Sequence, residues 1–128
     1  MTREQQRLPD YLAHILEAIG RIDRYTGDMD EVAFMNNQLV QDAVIRNLEI
    51  IGEASNNIEK HCTEFAATHP ELPLAFACQM RNAVAHGYFK VDFEIVWKTI
   101  HRDLPALHSQ IQDAQASVLN QGTQGTKP

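Results

Sequence analysis

Cysteine is scarce in this chain of 128 residues: Cys62 and Cys78 are the only two, too few for a disulfide framework. Long apolar runs are missing too, and nothing in the sequence approaches the length needed to span a bilayer. The opening stretch MTREQQRLPDYL carries charge without an apolar core that ends in small residues, so no secretory signal is read there and a cytoplasmic setting is expected. Metal-ligand spacing is absent: His61, Cys62, His69, Cys78 and His86 match neither a CxxC nor an HxxxH pattern, and no metal or cofactor is expected. Sustained alternation of apolar and polar residues is lacking throughout. That absence sets the class as all-α.

Charge of one sign dominates only part of the chain. The net charge is −6. Through Thr68 there are 6 Lys/Arg against 12 Asp/Glu, and from His69 onward 5 against 5. The acidity is therefore confined to the first part. A local positive field around Arg81, Lys90, Lys98 and Arg102 stays open, and the overall charge argues against non-specific coating of DNA rather than against a phosphate site. His101 and Arg102 extend the run from Lys98 either as a phosphate track or as a solvated helix face.

With hydrophobic content at 44% and charged content at 22%, the chain has the composition of an ordinary globular domain large enough for a core. Leu8, Tyr11, Leu12, Ile15, Leu16, Ile19 and Ile22 recur at three- and four-residue spacing and predict a helix to about Tyr25, with Glu17 and Arg21 paired on its far side. Gly27 stops it. A short helix is expected from Asp30 to Met35, with Asp30 as its N-cap. From Leu39 the helical spacing continues almost to His69, roughly thirty residues or about 45 Å, a length that suits a bundle or a dimer seam. Asp42 and Arg46 stand at i,i+4 as a surface pair, with a polar contribution to a dimer cleft as the alternative for Arg46 and Asn47. Gly52, inside this helix, suits a close helix approach.

Pro70 and Pro73 close the long helix, and a shorter one runs from Leu72 to Gly87, its C′ residue. The last begins at Asp92 and carries Phe93, Val96, Trp97, Ile100, Leu104, Leu107 and Ile111, with Pro105 expected to kink it or start a new segment. Trp97 and Phe93 read as core rather than as a base-stacking platform. The expectation is one domain over residues 1–119, an antiparallel helical bundle with a short fifth helix, followed by an unstructured tail over 120–128.

The run Met80-Arg81-Asn82-Ala83-Val84-Ala85-His86-Gly87-Tyr88 gathers chemically distinctive groups at a helix end. Arginine offers a planar fork of donors to phosphate oxygens, and histidine exchanges protons near neutrality. Together they suit phosphoryl transfer in which the 2′-hydroxyl of RNA is the nucleophile. Arg81 and His86 lie five residues apart, which leaves them about 140° apart around an ideal helix. They do not share a face. Either the last turn distorts at Gly87, or two copies of the helix meet at a shared pocket. Asn82 and His86 are i,i+4 neighbours. The structural alternative has Arg81 paired with a surface carboxylate, His86 capping its helix and Tyr88 closing the turn.

The segment RNAVAHGY matches R-x4-H-x-Y, and in this it resembles the HepT-type toxins of the HEPN superfamily. YLAHILEAIGRIDRYT, FMNNQLVQDAVIRNLEIIGEASNNI and FEIVWKTIHRDLPAL also look like that family, in the expected order from Tyr11 to about Leu107. Relatives often carry Trp after the LP that precedes the motif, where this chain has Leu74, a packing change away from the site. The resemblance implies a helical homodimer that cleaves RNA without a metal, leaving a 2′,3′-cyclic phosphate. Arg81 and His86 would be the catalytic pair and Asn82 a supporting residue. It also implies a partner, an MntA-type minimal nucleotidyltransferase antitoxin, with Tyr88 as the tyrosine that receives AMP. The competing expectation is a non-catalytic HEPN subunit that docks a nucleotidyltransferase.

Overall fold

The first helix forms where the apolar stripe places it. In the structure, a computed structural model that describes residues 6–70, 72 and 92–125 (120–125 by backbone alone), helix α1 spans Leu8–Thr26. Its stripe is buried at Tyr11, Leu12, Ile15, Ala18, Ile19 and Ile22. Pro9 sits in the first turn, where its missing N–H has no intrahelical partner to lose. The helix ends at Gly27, where a Cβ would stand 2.8 Å from the Asp23 carbonyl oxygen.

Helix α2 spans Glu31–Met35, and Asp30 caps it by accepting a hydrogen bond from the Ala33 N–H at 2.8 Å. Its one buried side chain, Phe34, is fully enclosed. Helix α3 spans Gln38–His61 and is capped by Asn37, whose Oδ1 accepts from the Val40 N–H at 3.0 Å. Gln41 ties α2 to α3: its Nε2 donates to the carbonyls of Phe34 at 2.9 Å and Met35 at 3.0 Å. Those carbonyls end a helix too short to satisfy them internally.

The long helix expected to reach His69 is broken at Cys62. There the backbone turns to φ −120° and ψ 52°, and a separate helix α4 runs over Thr63–Thr68. The Cys62 N–H still donates to Ile58 at 2.8 Å, and its carbonyl accepts from the Ala66 N–H at 3.0 Å. The corner keeps both hydrogen-bond ladders. Cys62 stays buried and Phe65 packs against the core, so the apolar spacing runs on through the bend.

After the stretch 73–91, which lies outside the described residues, α5 spans Phe93–Arg102. Asp92 caps it by accepting from the N–H groups of Glu94 and Ile95, at 3.0 and 3.4 Å. Helix α6 follows over Leu104–Gly125, and Pro105 occupies its second position. The proline therefore begins a new segment, as one of the two expectations had it. The α6 backbone stays helical through Gly125, into the stretch expected to form a tail. NQGTQG holds two glycines but no proline to break the ladder.

The fold is all-α, a helical bundle with no strand among the described residues. Helix α1 packs against α3 and α6, and α5 bridges α6 and α2. Phe34 of α2 meets Phe93 edge-on, with ring centroids 6.1 Å apart, and Trp97 at 5.2 Å. Among the described residues no helix is long and apolar enough to cross a membrane.

Candidate functional site

Arg81, Asn82, His86 and Tyr88 lie outside the described residues, as does the helix expected from Leu72 to Gly87. The structure describes what stands on either side of them. Leu72 is buried and donates its N–H to the His69 carbonyl at 3.1 Å. Asp92 resumes the described chain as a helix cap, with Phe93 packed at once against Phe34. The motif is thus strung between two residues fixed to the helical body.

The other polar groups raised by the sequence are placed. Arg46 does not pair with Asp42; its Nη1 stands 3.6 Å from Glu49 Oε2, i,i+3 on an exposed face. Such a pair contributes little to stability. Asn47 turns inward instead: it is buried, its Nδ2 donates to the Ala43 carbonyl at 2.8 Å, and its Oδ1 accepts from Arg21 Nη1 at 3.4 Å. Arg21 also keeps its expected partner, with Nη2 at 3.7 Å from Glu17 Oε2. This places one guanidinium across the α1–α3 seam. Gly52 is buried on α3, and Ser55 is fully buried with no hydrogen-bond partner for its hydroxyl.

Burial pushes the Cys62 thiol up from its ordinary pKa, which keeps it protonated and a poor nucleophile. Among the described residues no three of His, Cys, Asp and Glu stand close enough to hold a metal ion.

Two described histidines share one arrangement. His69 stacks on Phe65 with centroids 4.1 Å apart, and its Nδ1 lies 3.0 Å from the Phe65 carbonyl oxygen. His101 leans on Trp97 with ring centroids 4.2 Å apart and planes tilted by 44°, and its Nδ1 lies 2.9 Å from the Trp97 carbonyl oxygen. A carbonyl only accepts, so in each contact the proton is on Nδ1 and Nε2 is left for other partners. His69 also meets the Thr68 hydroxyl at 3.1 Å, whereas His101 is exposed between Lys98 and Arg102. The sequence holds a signal for that cluster in its KTIHR run. It holds none for Gln41, whose role as a clamp depends on the angle between two helices.

Comparison with known proteins gives a consistent result. A family model described as "Ribonuclease HepT-like" matches residues 15–114. A protein named "Probable ribonuclease HepT" from Thermococcus cleftensis is 42% identical over 103 residues, covering 80% of this chain and 91% of that protein. One named "Putative RNase" from Caldanaerobacter subterraneus subsp. tengcongensis is 38% identical over 104 residues, covering 80% and 89%. No solved structure matches the chain.

Proposed function

The chain belongs to the HepT-like ribonuclease family, and from that premise we propose that it is a metal-independent endoribonuclease, the toxin of a toxin–antitoxin pair. The observation that carries this reading is the run RNAVAHGY, which lies inside the matched region 15–114. Its residue types are those that RNA cleavage by internal attack requires. The 2′-hydroxyl attacks the adjacent phosphorus, the bond to the 5′ oxygen breaks, and a 2′,3′-cyclic phosphate remains. His86 exchanges the proton with the attacking or leaving oxygen, and Arg81 stabilises the charge that builds on the phosphate oxygens. Asn82, one helical turn before His86, supports the histidine.

Because Arg81 and His86 are about 140° apart on an ideal helix, the reading includes a homodimer in which two motif segments share the site. Tyr88 is the switch. Transfer of AMP to its hydroxyl by an MntA-type nucleotidyltransferase antitoxin adds negative charge and bulk beside the phosphate-binding arginine and blocks RNA.

The test is cleavage of RNA by the purified chain in excess chelator. Activity is expected to persist there and to fall at least about a hundredfold in Arg81→Ala and in His86→Ala. Cleavage that stops with chelator, or survives both substitutions, overturns the mechanism. A monomer by light scattering at micromolar concentration overturns the shared site. Co-expression with the nucleotidyltransferase is expected to add AMP to the intact mass, and an unchanged adduct in Tyr88→Phe would place the modification elsewhere.

A further inference from the structure

The described cations fall into two groups. Arg7, Arg21 and Arg46 each have a carboxylate within 4.0 Å, at Asp10, Glu17 and Glu49. Arg24, Lys60, Lys98 and Arg102 have none within that distance among the described residues. Arg24 and Lys60 sit apart, each with an acidic residue four positions on, Asp28 and Glu64. Lys98 and Arg102 are together. They stand one turn apart on α5, about 40° from each other around the helix, with His101 beside them.

We propose that this outer face of α5, formed by Lys98, His101 and Arg102, docks the phosphate backbone of the RNA substrate; the inference rests on the ribonuclease reading above. All three side chains are exposed. Residues at i,i+4 on a helix are about 5–6 Å apart at Cβ, a spacing that lets two cations meet successive phosphates of a single strand. His101 is held by its tilted ring contact with Trp97 and by its Nδ1–H to the Trp97 carbonyl, which leaves its Nε2 free of both.

The helix dipole explains cations in a last turn, and so accounts for His101 and Arg102. It does not account for Lys98 one turn earlier, whose i−4 neighbour Glu94 lies beyond ion-pair distance. Two carboxylates flank the ridge, Glu94 one turn before Lys98 and Asp103 directly after Arg102, and neither lies within ion-pair distance of Lys98 or Arg102. Elsewhere the acidic first part of the chain repels a polyanion. The position also suits the chemistry. Three residues separate Tyr88 from the Asp92 cap, and the chain between the two reaches at most about 14 Å. Lys98 is six residues further, about 9 Å along a helix axis. The covalent path alone therefore keeps Lys98 within about 23 Å of Tyr88.

The experiment uses the full chain in a His86→Ala background, so that RNA is bound without being cut. Its probe is a fluorescein-labelled single-stranded RNA of mixed sequence, read by anisotropy at several salt concentrations. Lys98→Ala with Arg102→Ala is expected to weaken binding about tenfold and to lower the slope of log K against log salt by about 1.4, as two lost phosphate contacts require. His101→Ala is expected to weaken it less. In the chain with His86 intact, the double substitution is expected to raise KM with kcat nearly unchanged.

The control is Arg24→Ala with Lys60→Ala, which removes the same charge elsewhere and is expected to leave binding unchanged. Equal loss in that control, or no loss at the ridge, overturns the ridge and leaves the ribonuclease reading standing. Failure of the His86→Ala chain to bind RNA, together with no cleavage by the chain with His86 intact, overturns both.

Discussion

Helix α5 has two faces that do different work within ten residues. Its inner face buries Val96, Thr99 and Ile100 and sets Phe93 and Trp97 against Phe34. Its outer face carries Lys98, His101 and Arg102 into solvent. Trp97 belongs to both: its ring makes tilted contacts with Phe34 and with His101. The contrast teaches that core packing and the proposed docking of RNA are separable here by rotation around one axis. Substitutions on the inner face should move the melting temperature, and those on the outer face the affinity for RNA.

The most severe way to break this division is Phe34→Ala. Phe34 is fully buried and makes the contacts that hold α2 to α5, so its truncation is expected to destabilise the protein by about 3–5 kcal/mol in denaturant melts. A loss below about 1 kcal/mol would mean that the aromatic cluster is not a core element. Gln41→Ala is expected to have a smaller effect, about 1–3 kcal/mol, because it removes the side-chain donor to the Met35 carbonyl and leaves the Phe34 carbonyl with the Asn37 N–H alone. Gln41→Glu should not restore the lost stability, since a carboxylate cannot donate to them. The smallest effect is expected from Lys98→Ala with Arg102→Ala, which should change stability by no more than about 0.5 kcal/mol. A larger change would make the outer face structural and would erase the division.

Much of the fold was legible because it depends on local chemistry. The Leu8–Thr26 stripe, the Asp30 and Asp92 caps and the segment begun by Pro105 each follow from residues within a turn of one another. The corner at Cys62 was not legible. It contains neither glycine nor proline, and Cys62 and Phe65 keep the helical apolar spacing through it. Arg46 shows a second limit. Asp42 and Glu49 are both within one turn of it, and side-chain packing rather than spacing selects Glu49.

Asn47 shows a third, because its burial depends on Arg21, a residue of another helix. The candidate site was read from the sequence as a motif, Arg81 to Tyr88, and it lies outside the described residues. Spacing alone does not give its geometry, since the roughly 140° between Arg81 and His86 on an ideal helix fits either a distorted last turn or a second chain.

The Gln41 clamp has a kinetic consequence. Helix α2 is too short to persist unaided, and it is held at both sides: by Gln41 to α3 and by Phe34 to α5. Loss of either hold releases the other, so α2 and the start of α5 should open as one cooperative unit. Amide exchange would then report the same opening free energy at Phe34 and Val96, below that of Leu48 in α3. Asp92, where the motif's chain rejoins the body, lies within that unit. A local opening far short of global unfolding would thus be enough to release the Asp92 cap.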